Sequence, residues 1–288
     1  MPSQSAMRST AGAKPGDMLS FPNCKINLGL RILRRREDGF HDIETVFHPI
    51  PVKDVLELIR DVALSFTSTG TAIPGDPDTN LCLKAWHLLK KDFPQVQPVR
   101  IHLHKHIPIG AGLGGGSSDG AFMLIMLNRE FNLDLEQQQL LSYAAQLGSD
   151  CPFFIINKTC QAGGRGEQLT PLALDLSSWS VALVNPGIHI STARAFAQCT
   201  PSAGNTPVAE IIKQPVSEWK DQLVNDFERP IFRAHPELGV IKEKLYAAGA
   251  VYASMTGSGS AIYGLFPKNA GLQMPDASLF PGYFFSLV

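Results

Sequence analysis

The chain is read as an α+β protein. Runs of strict polar/apolar alternation, helical patterns between them, and the lack of a regular strand–helix–strand beat together predict that class. In Lys25-Ile26-Asn27-Leu28-Gly29-Leu30, the residues 25, 27 and 29 share one face and 26, 28 and 30 the other. A strand with a polar face carrying a cation and an amide follows. Two further strands, at 44–50 and 55–59, predict an antiparallel meander after the turn at Asp38-Gly39. Residues 80–92 place Leu81, Ala85, Leu88 and Leu89 on one side of a helix. Val99-Arg100-Ile101-His102-Leu103-His104 alternates again. The run Ala121-Phe122-Met123-Leu124-Ile125-Met126-Leu127 is apolar all round, the mark of a buried central helix. A second helix at 136–147 closes on Gly148. From residue 171 a second α+β unit begins. It has a strand at 181–185, a helix capped by Ser191 or Thr192, a Pro/Gly/Ser-rich excursion at 200–215, a helix at 236–248, and a strand–glycine turn–strand at 251–266. The expected division is a disordered leader at 1–17 with the natural start at Met18, an N-terminal domain at 18–170 and a C-terminal domain at 171–288.

Composition narrows the function classes. With 288 residues, 44% hydrophobic and 18% charged, the chain can bury a substantial core. A net charge of -1 lacks the positive field that nucleic acid or a membrane surface requires, so neither is an expected partner. No apolar run nears the ~20 residues of a membrane span, and the first seventeen residues have no signal-peptide core. Five cysteines, an odd number without C-x-x-C spacing, read as reduced thiols of a cytoplasmic protein. His102, His104 and His106 share a strand face but lack neighbouring ligands at metal spacing, so they read as a solvated face and no protein metal site is expected. The sequence leaves monomer and homodimer both open.

The segment with the most chemistry is Pro108-Ile109-Gly110-Ala111-Gly112-Leu113-Gly114-Gly115-Gly116-Ser117-Ser118, opening onto the buried helix. Glycines bring backbone N–H groups close to phosphate oxygens, and a helix N-terminus adds unpaired donors and partial positive charge. The two serines are read as hydroxyl donors and as the helix cap. Gly110-x-Gly112-x-x-Gly115 also matches the dinucleotide fingerprint, but the strand before it carries Arg and His on one side instead of being buried on both. No Gly-Lys-Ser/Thr follows, which excludes a Walker A loop. A merely flexible turn gives no reason for so many glycines at the mouth of a buried helix.

Pro-x-x-x-Gly-Leu-Gly-Gly-Gly-Ser-Ser before an apolar helix resembles the ATP-binding motif of the GHMP kinases. Lys25-Ile26-Asn27-Leu28 and Met255-Thr256-Gly257-Ser258-Gly259-Ser260 resemble that family's other two motifs. Further matches stand at Arg36-Glu37-Asp38-Gly39-Phe40-His41, at Leu147-Gly148-Ser149-Asp150-Cys151-Pro152-Phe153-Phe154, and at Asn225-Asp226-Phe227-Glu228. They resemble the branch of the family whose substrate is a cytidyl diphosphate-linked methylerythritol. The likeness runs in order from about residue 19 to 266 and leaves the tail unmapped.

The resemblance implies a two-domain fold with its site in the cleft, and ATP-dependent phosphorylation of the substrate's 2-hydroxyl in the non-mevalonate isoprenoid route. Alternatives are a homoserine- or mevalonate-type kinase, or a nucleotide-binding protein of the same fold without catalysis. Phosphoryl transfer needs held phosphates, a positioned hydroxyl and a proton acceptor. Asp150 is the candidate base, although by itself it reads equally as a structural aspartate at a helix end. The resemblance makes Asp150 catalytic and Lys25 its partner, where a lone strand lysine would more often be solvated. It places Asn80, Leu81 and Lys105 with residues 108–118 around ATP, and it implies Mg²⁺ held by phosphate and water. Asn27, Thr192, Thr256 and Gly257 are expected at the substrate, with Phe40 and Phe196 stacking on its base and His41 bonding the base edge. Phe40 replaces the family's more usual Tyr, Gly120 a usual Ala, and Cys24 another Ala.

Overall fold

The computed structural model describes residues 17–201, 206–268 and 274–288. The leader expected at 1–17 lies outside these, apart from Asp17, which opens the first strand. Among the described residues, twelve strands form three four-stranded sheets. The first contains β1 (Asp17–Ser20), β4 (Val55–Arg60), β6 (Val99–Lys105) and β5 (Ser65–Gly70), in that order, with only β5 and β6 parallel. The second is antiparallel: β2 (Asn23–Arg35), β3 (His41–Lys53), β7 (Cys160–Gly163) and β8 (Gln168–Pro171). The third, also antiparallel, runs β10 (Tyr252–Met255), β11 (Ile262–Pro267), β9 (Trp179–Asn185) and β12 (Phe284–Leu287).

The expected meander is only half present. β2 and β3 pair as an antiparallel hairpin, but β4 leaves them for the first sheet. The cause is Asp54, fully buried between β3 and β4. Its Oδ1 accepts the His106 and Ile107 N–H groups at 2.6 and 2.8 Å, which ties the start of β4 to the end of β6. The unmapped tail folds back as β12 and adds an edge strand beside β9.

Helices α1 (Leu81–Asp92), α2 (Gly115–Glu130), α3 (Gln137–Leu147) and α4 (Cys151–Ile156) cover the first sheet. Leu56, Leu58, Ile101 and Leu103 meet Leu89, Met123, Leu124 and Leu127 in one core. A second core lies between the other two sheets, with Ile26 and Leu28 facing Leu183, Tyr263 and Leu265. A third, behind the last sheet, holds Ala182, Val184 and Met255. There they meet Phe227, Ile231, Leu238, Ile241 and Leu245, contributed by and around α7 (Glu228–Ala234) and α8 (Pro236–Ala247). α5 (Thr192–Gln198) and the short α6 (Val208–Ile211) lie between β9 and α7 along the chain.

β2 is therefore buried along its first ten residues, and Lys25 with it, contrary to a solvated strand lysine. At Gly29 the register with β3 slips, and the backbone takes φ of +66°. A Cβ there would stand 2.7 Å from Leu223, so only glycine fits this bulge. The helix packing also accounts for Gly120. A Cβ at 120 would lie 2.8 Å from the Cβ of Leu81, so α2 crosses α1 closer than an alanine permits.

Candidate active site

The glycine loop stands between two cavities. Gly110, Gly112 and Gly114 line both a cavity of about 1060 Å³ and a smaller one of about 340 Å³. All three adopt positive φ, between 67° and 79°. Gly114 in the left-handed conformation is the N-cap of α2, so the serines are not the cap: Ser117 and Ser118 lie inside the first turn. The Ser118 hydroxyl is buried without a hydrogen-bond partner, as is Oδ1 of neighbouring Asp119. The first N–H groups of a sixteen-residue helix thus open on the smaller cavity beside Gly115, Gly116 and Ser117.

Asn80 and Leu81 line that cavity, as expected. Asn80 also caps α1, its Oδ1 accepting the Cys82 N–H at 2.9 Å. Lys105 borders it too, but its ammonium is engaged elsewhere. Nζ donates to Asp119 Oδ2 at 2.7 Å and to Asp54 Oδ2. Burial lowers the Lys105 pKa and the two carboxylates more than restore it, for a net rise. Burial pushes Asp119 up to about 7 against the pull of Lys105. With Asp54 also holding the 106 and 107 N–H groups, this trio clamps the two ends of the glycine loop.

Lys25, Asn27, Asp150, Phe40, His41, Thr192, Phe196 and Gly257 border the larger cavity, which draws sequence positions far apart into one wall. β2 delivers Lys25, and the N-terminus of α4 presents Asp150. Lys25 Nζ lies 3.6 Å from Asp150 Oδ2. It also donates to Asn27 Oδ1 at 2.6 Å and to the Gly112 carbonyl at 3.0 Å, and stands 4.8 Å above the Phe47 ring. Burial lowers the Lys25 pKa, and the Asp150 charge opposes that shift. The side chain of Asp150 remains 32% exposed while that of Lys25 is 4% exposed, so the carboxylate faces the cavity and the ammonium backs it.

Thr256 does not reach this cavity. It is fully buried, accepts the Asn27 N–H at 3.0 Å, and lies 3.2 Å from both Asn27 Oδ1 and the Gly112 carbonyl. Gly257 and Ser258 face the cavity in its place, and Ser258 Oγ is 3.0 Å from Thr192 Oγ1.

At the far end the aromatic groups are arranged differently from the expectation. Phe40 is 54% exposed, with the Arg165 guanidinium 4.9 Å from its ring centre. His41 stacks on Phe196 at 4.7 Å and 14°, so the imidazole occupies a face expected to take the base. Phe196 in turn meets the edge of Phe227. Sequence reasoning missed Arg35, Arg165 and His189 in this wall. Arg165 carried a legible signal, an arginine inside Gly163-Gly164-Arg165-Gly166 between two short strands. Of the three histidines, His102 and His104 bond Thr67 and Thr69 of β5, and His106 packs against Phe284. Among the described residues no helix is long and apolar enough to cross a membrane.

Known proteins share this chain's sequence and fold. The GHMP kinases N terminal domain matches residues 80–158, and the GHMP kinases C terminal domain matches 208–276. A relative from Bacteroides thetaiotaomicron, 4-diphosphocytidyl-2-C-methyl-D-erythritol kinase, is 49% identical over 263 residues, covering 90% of this chain and 96% of its own. The chain belongs to the GHMP kinase family. Among solved GHMP kinase structures, that of a 4-(cytidine 5'-diphospho)-2C-methyl-D-erythritol kinase superposes with a TM-score of 0.75 at 34% identity, covering 86% of this chain and 90% of that one. Homoserine kinase from Cytophaga hutchinsonii superposes with a TM-score of 0.72 at 14% identity, over 98% and 96% of the two chains, which shows the fold alone.

Proposed function

We propose that this GHMP kinase transfers the γ-phosphoryl group of ATP to the 2-hydroxyl of 4-diphosphocytidyl-2-C-methyl-D-erythritol. The observation that carries this is the meeting of Lys25 and Asp150 beside the glycine loop whose residues line both cavities. The 49% identity to a kinase of that name supports the substrate. A phosphate in the smaller cavity and a hydroxyl in the larger would approach each other across Gly110, Gly112 and Gly114.

In this reading the N–H groups of the α2 N-terminus and the glycine loop hold the phosphates. Asp150 accepts the proton of the attacking hydroxyl. Lys25 keeps that carboxylate ionised and stabilises charge growing on the hydroxyl oxygen. Mg²⁺ would neutralise phosphate charge, and the unpartnered Oδ1 of Asp119, a residue of the smaller cavity's lining, fits a polar group brought in with ATP. Phe40, His41, Phe196 and Arg165 receive the cytidyl end. A base stacking on Phe196 takes the place of the His41 ring, which then turns to the base edge. The site lies between an N-terminal domain ending near residue 170 and the domain that follows.

ADP release with a panel of alcohols tests the function. Turnover with the cytidyl substrate alone is the expected result. Turnover with homoserine or mevalonate, or ATP binding without turnover, would overturn it.

A further inference from the structure

Asn225 lies outside both cavities, yet it joins the two segments that build the catalytic wall. It is buried, and residues 224–226 are stitched onto β2. The Leu30 N–H donates to the Val224 carbonyl at 2.9 Å, and the Asp226 N–H donates to the Leu30 carbonyl at 2.9 Å. Asp226 Oδ2 accepts the Ile32 N–H at 2.8 Å. From this anchorage the Asn225 side chain reaches the other way. Its Nδ2 donates to the Met255 carbonyl at 2.7 Å and to the Gly257 carbonyl at 2.8 Å, while Oδ1 accepts the Phe227 N–H at 3.0 Å.

The two carbonyls flank Thr256, whose hydroxyl contacts Asn27 and the Gly112 carbonyl. Asn27 Oδ1 and the Gly112 carbonyl are also the two acceptors of Lys25 Nζ. A continuous set of hydrogen bonds therefore runs from Asn225 through the turn to Lys25, and Lys25 meets Asp150. Glu228, from the same sequence motif, accepts the Met255 N–H and the Ser254 hydroxyl, so it holds β10 but not the glycine turn.

We propose that Asn225 is a positioning residue for phosphoryl transfer. Its amide sets the distance between the strand carrying Lys25 and the glycine turn that faces it. The chemistry of the site requires a carboxamide here: two donors on one nitrogen to span two carbonyls, and one acceptor for the chain beyond. The proposal rests on the kinase reading, because it concerns the placement of Lys25 against the transferred group.

Asn225→Ala tests it, with Leu238→Ala as the comparison, a shortened core side chain of α8. Asn225→Ala is expected to lower kcat on the order of 10²-fold, because small misplacements at a reacting centre carry that cost. Its KM for ATP should change less than about threefold, since Asn225 itself bonds Met255, Gly257 and Phe227 and none of residues 108–118. Leu238→Ala should keep kcat within about threefold of wild type while losing as much thermal stability or more. Wild-type kcat in folded Asn225→Ala, or an equal fall in Leu238→Ala, overturns the proposal. If Asn225→Ala does not fold, Asn225→Asp decides. Its kcat relative to wild type should rise as pH falls, because a protonated carboxyl regains one donor, and a ratio flat with pH overturns it. These ratios are read on whichever alcohol the wild type phosphorylates, so failure of the cytidyl substrate and failure of this proposal are separate results.

Discussion

Gly112 and Thr256 touch backbone to backbone: a Cβ on Gly112 would stand 2.0 Å from the Thr256 carbonyl oxygen. The glycine loop and the turn at Thr256 are thus packed as one unit, which only glycine permits. Gly112 also holds φ of +79°, a conformation costly for any other L-residue. Gly112→Ala should lower stability by about 3 kcal/mol from overpacking and backbone strain together. It should abolish most turnover, because the Gly112 carbonyl is an acceptor of Lys25. Urea unfolding and initial rates check both. A stable, active alanine variant would show that the two segments do not pack this way.

The Lys25–Asp150 pair separates activity from stability. Asp150 is partly exposed at a helix end, so Asp150→Asn should leave the fold intact and lower kcat by about 10²-fold or more. Lys25→Met keeps the buried stem, and loss of its ammonium removes a desolvation cost along with its hydrogen bonds. Asp150 stays partly exposed, so the main cost is a buried acceptor left without its donor. Stability should fall by about 1–3 kcal/mol while kcat again falls about 10²-fold. Calorimetry beside steady-state rates makes the comparison, and collapse of the Lys25→Met fold would contradict it.

Gly120 offers a contest between propensity and packing. Alanine is preferred to glycine inside a helix by up to ~1 kcal/mol. The Leu81 Cβ, 2.8 Å from where the new methyl would sit, is close to its backbone and cannot swing away. Overpacking costs about 1–3 kcal/mol, so it should win, and Gly120→Ala should be the less stable protein. A raised Tm in that variant would mean that α1 shifts freely against α2.

Asp119 makes stability depend on pH. Its carboxyl stands near 7 in the folded protein, mainly through burial, against an ordinary 3.8. Between those values the folded state keeps a proton that the unfolded chain has lost. This contribution therefore weakens as pH rises from about 4 to about 7 and levels off above. Asp119→Asn cannot titrate, so the stability of wild type relative to the variant should fall across that window. Denaturant melts at pH 5, 6, 7 and 8 provide the measurement, and a constant difference would remove Asp119 from the account.

Helices α1, α2, α3, α5 and α8, the glycine loop and most strands were legible in the sequence, because these follow from local periodicity and backbone chemistry. The short α4, α6 and α7 carry too few residues to show a period. The sequence also pointed to Lys25 and Asp150, whose motifs are short and contiguous. Besides Arg165, the register of β6 carried a signal. Val99, Ile101 and Leu103 face inward, and Lys105 continues that register, so its ammonium had to meet buried carboxylates. Tertiary structure alone decided which ones, since Asp54 and Asp119 lie 51 and 14 residues from Lys105. It likewise decided that β4 leaves its expected partners, that Thr256 is buried behind the wall, and that Gly120 is needed where α2 crosses Leu81. It brought Arg165 over Phe40 and stretched Asn225 from β2 to the glycine turn. These are distances between segments remote along the chain, and no local period records them. They are set by which faces pack and by which carbonyls are left for a buried amide to satisfy.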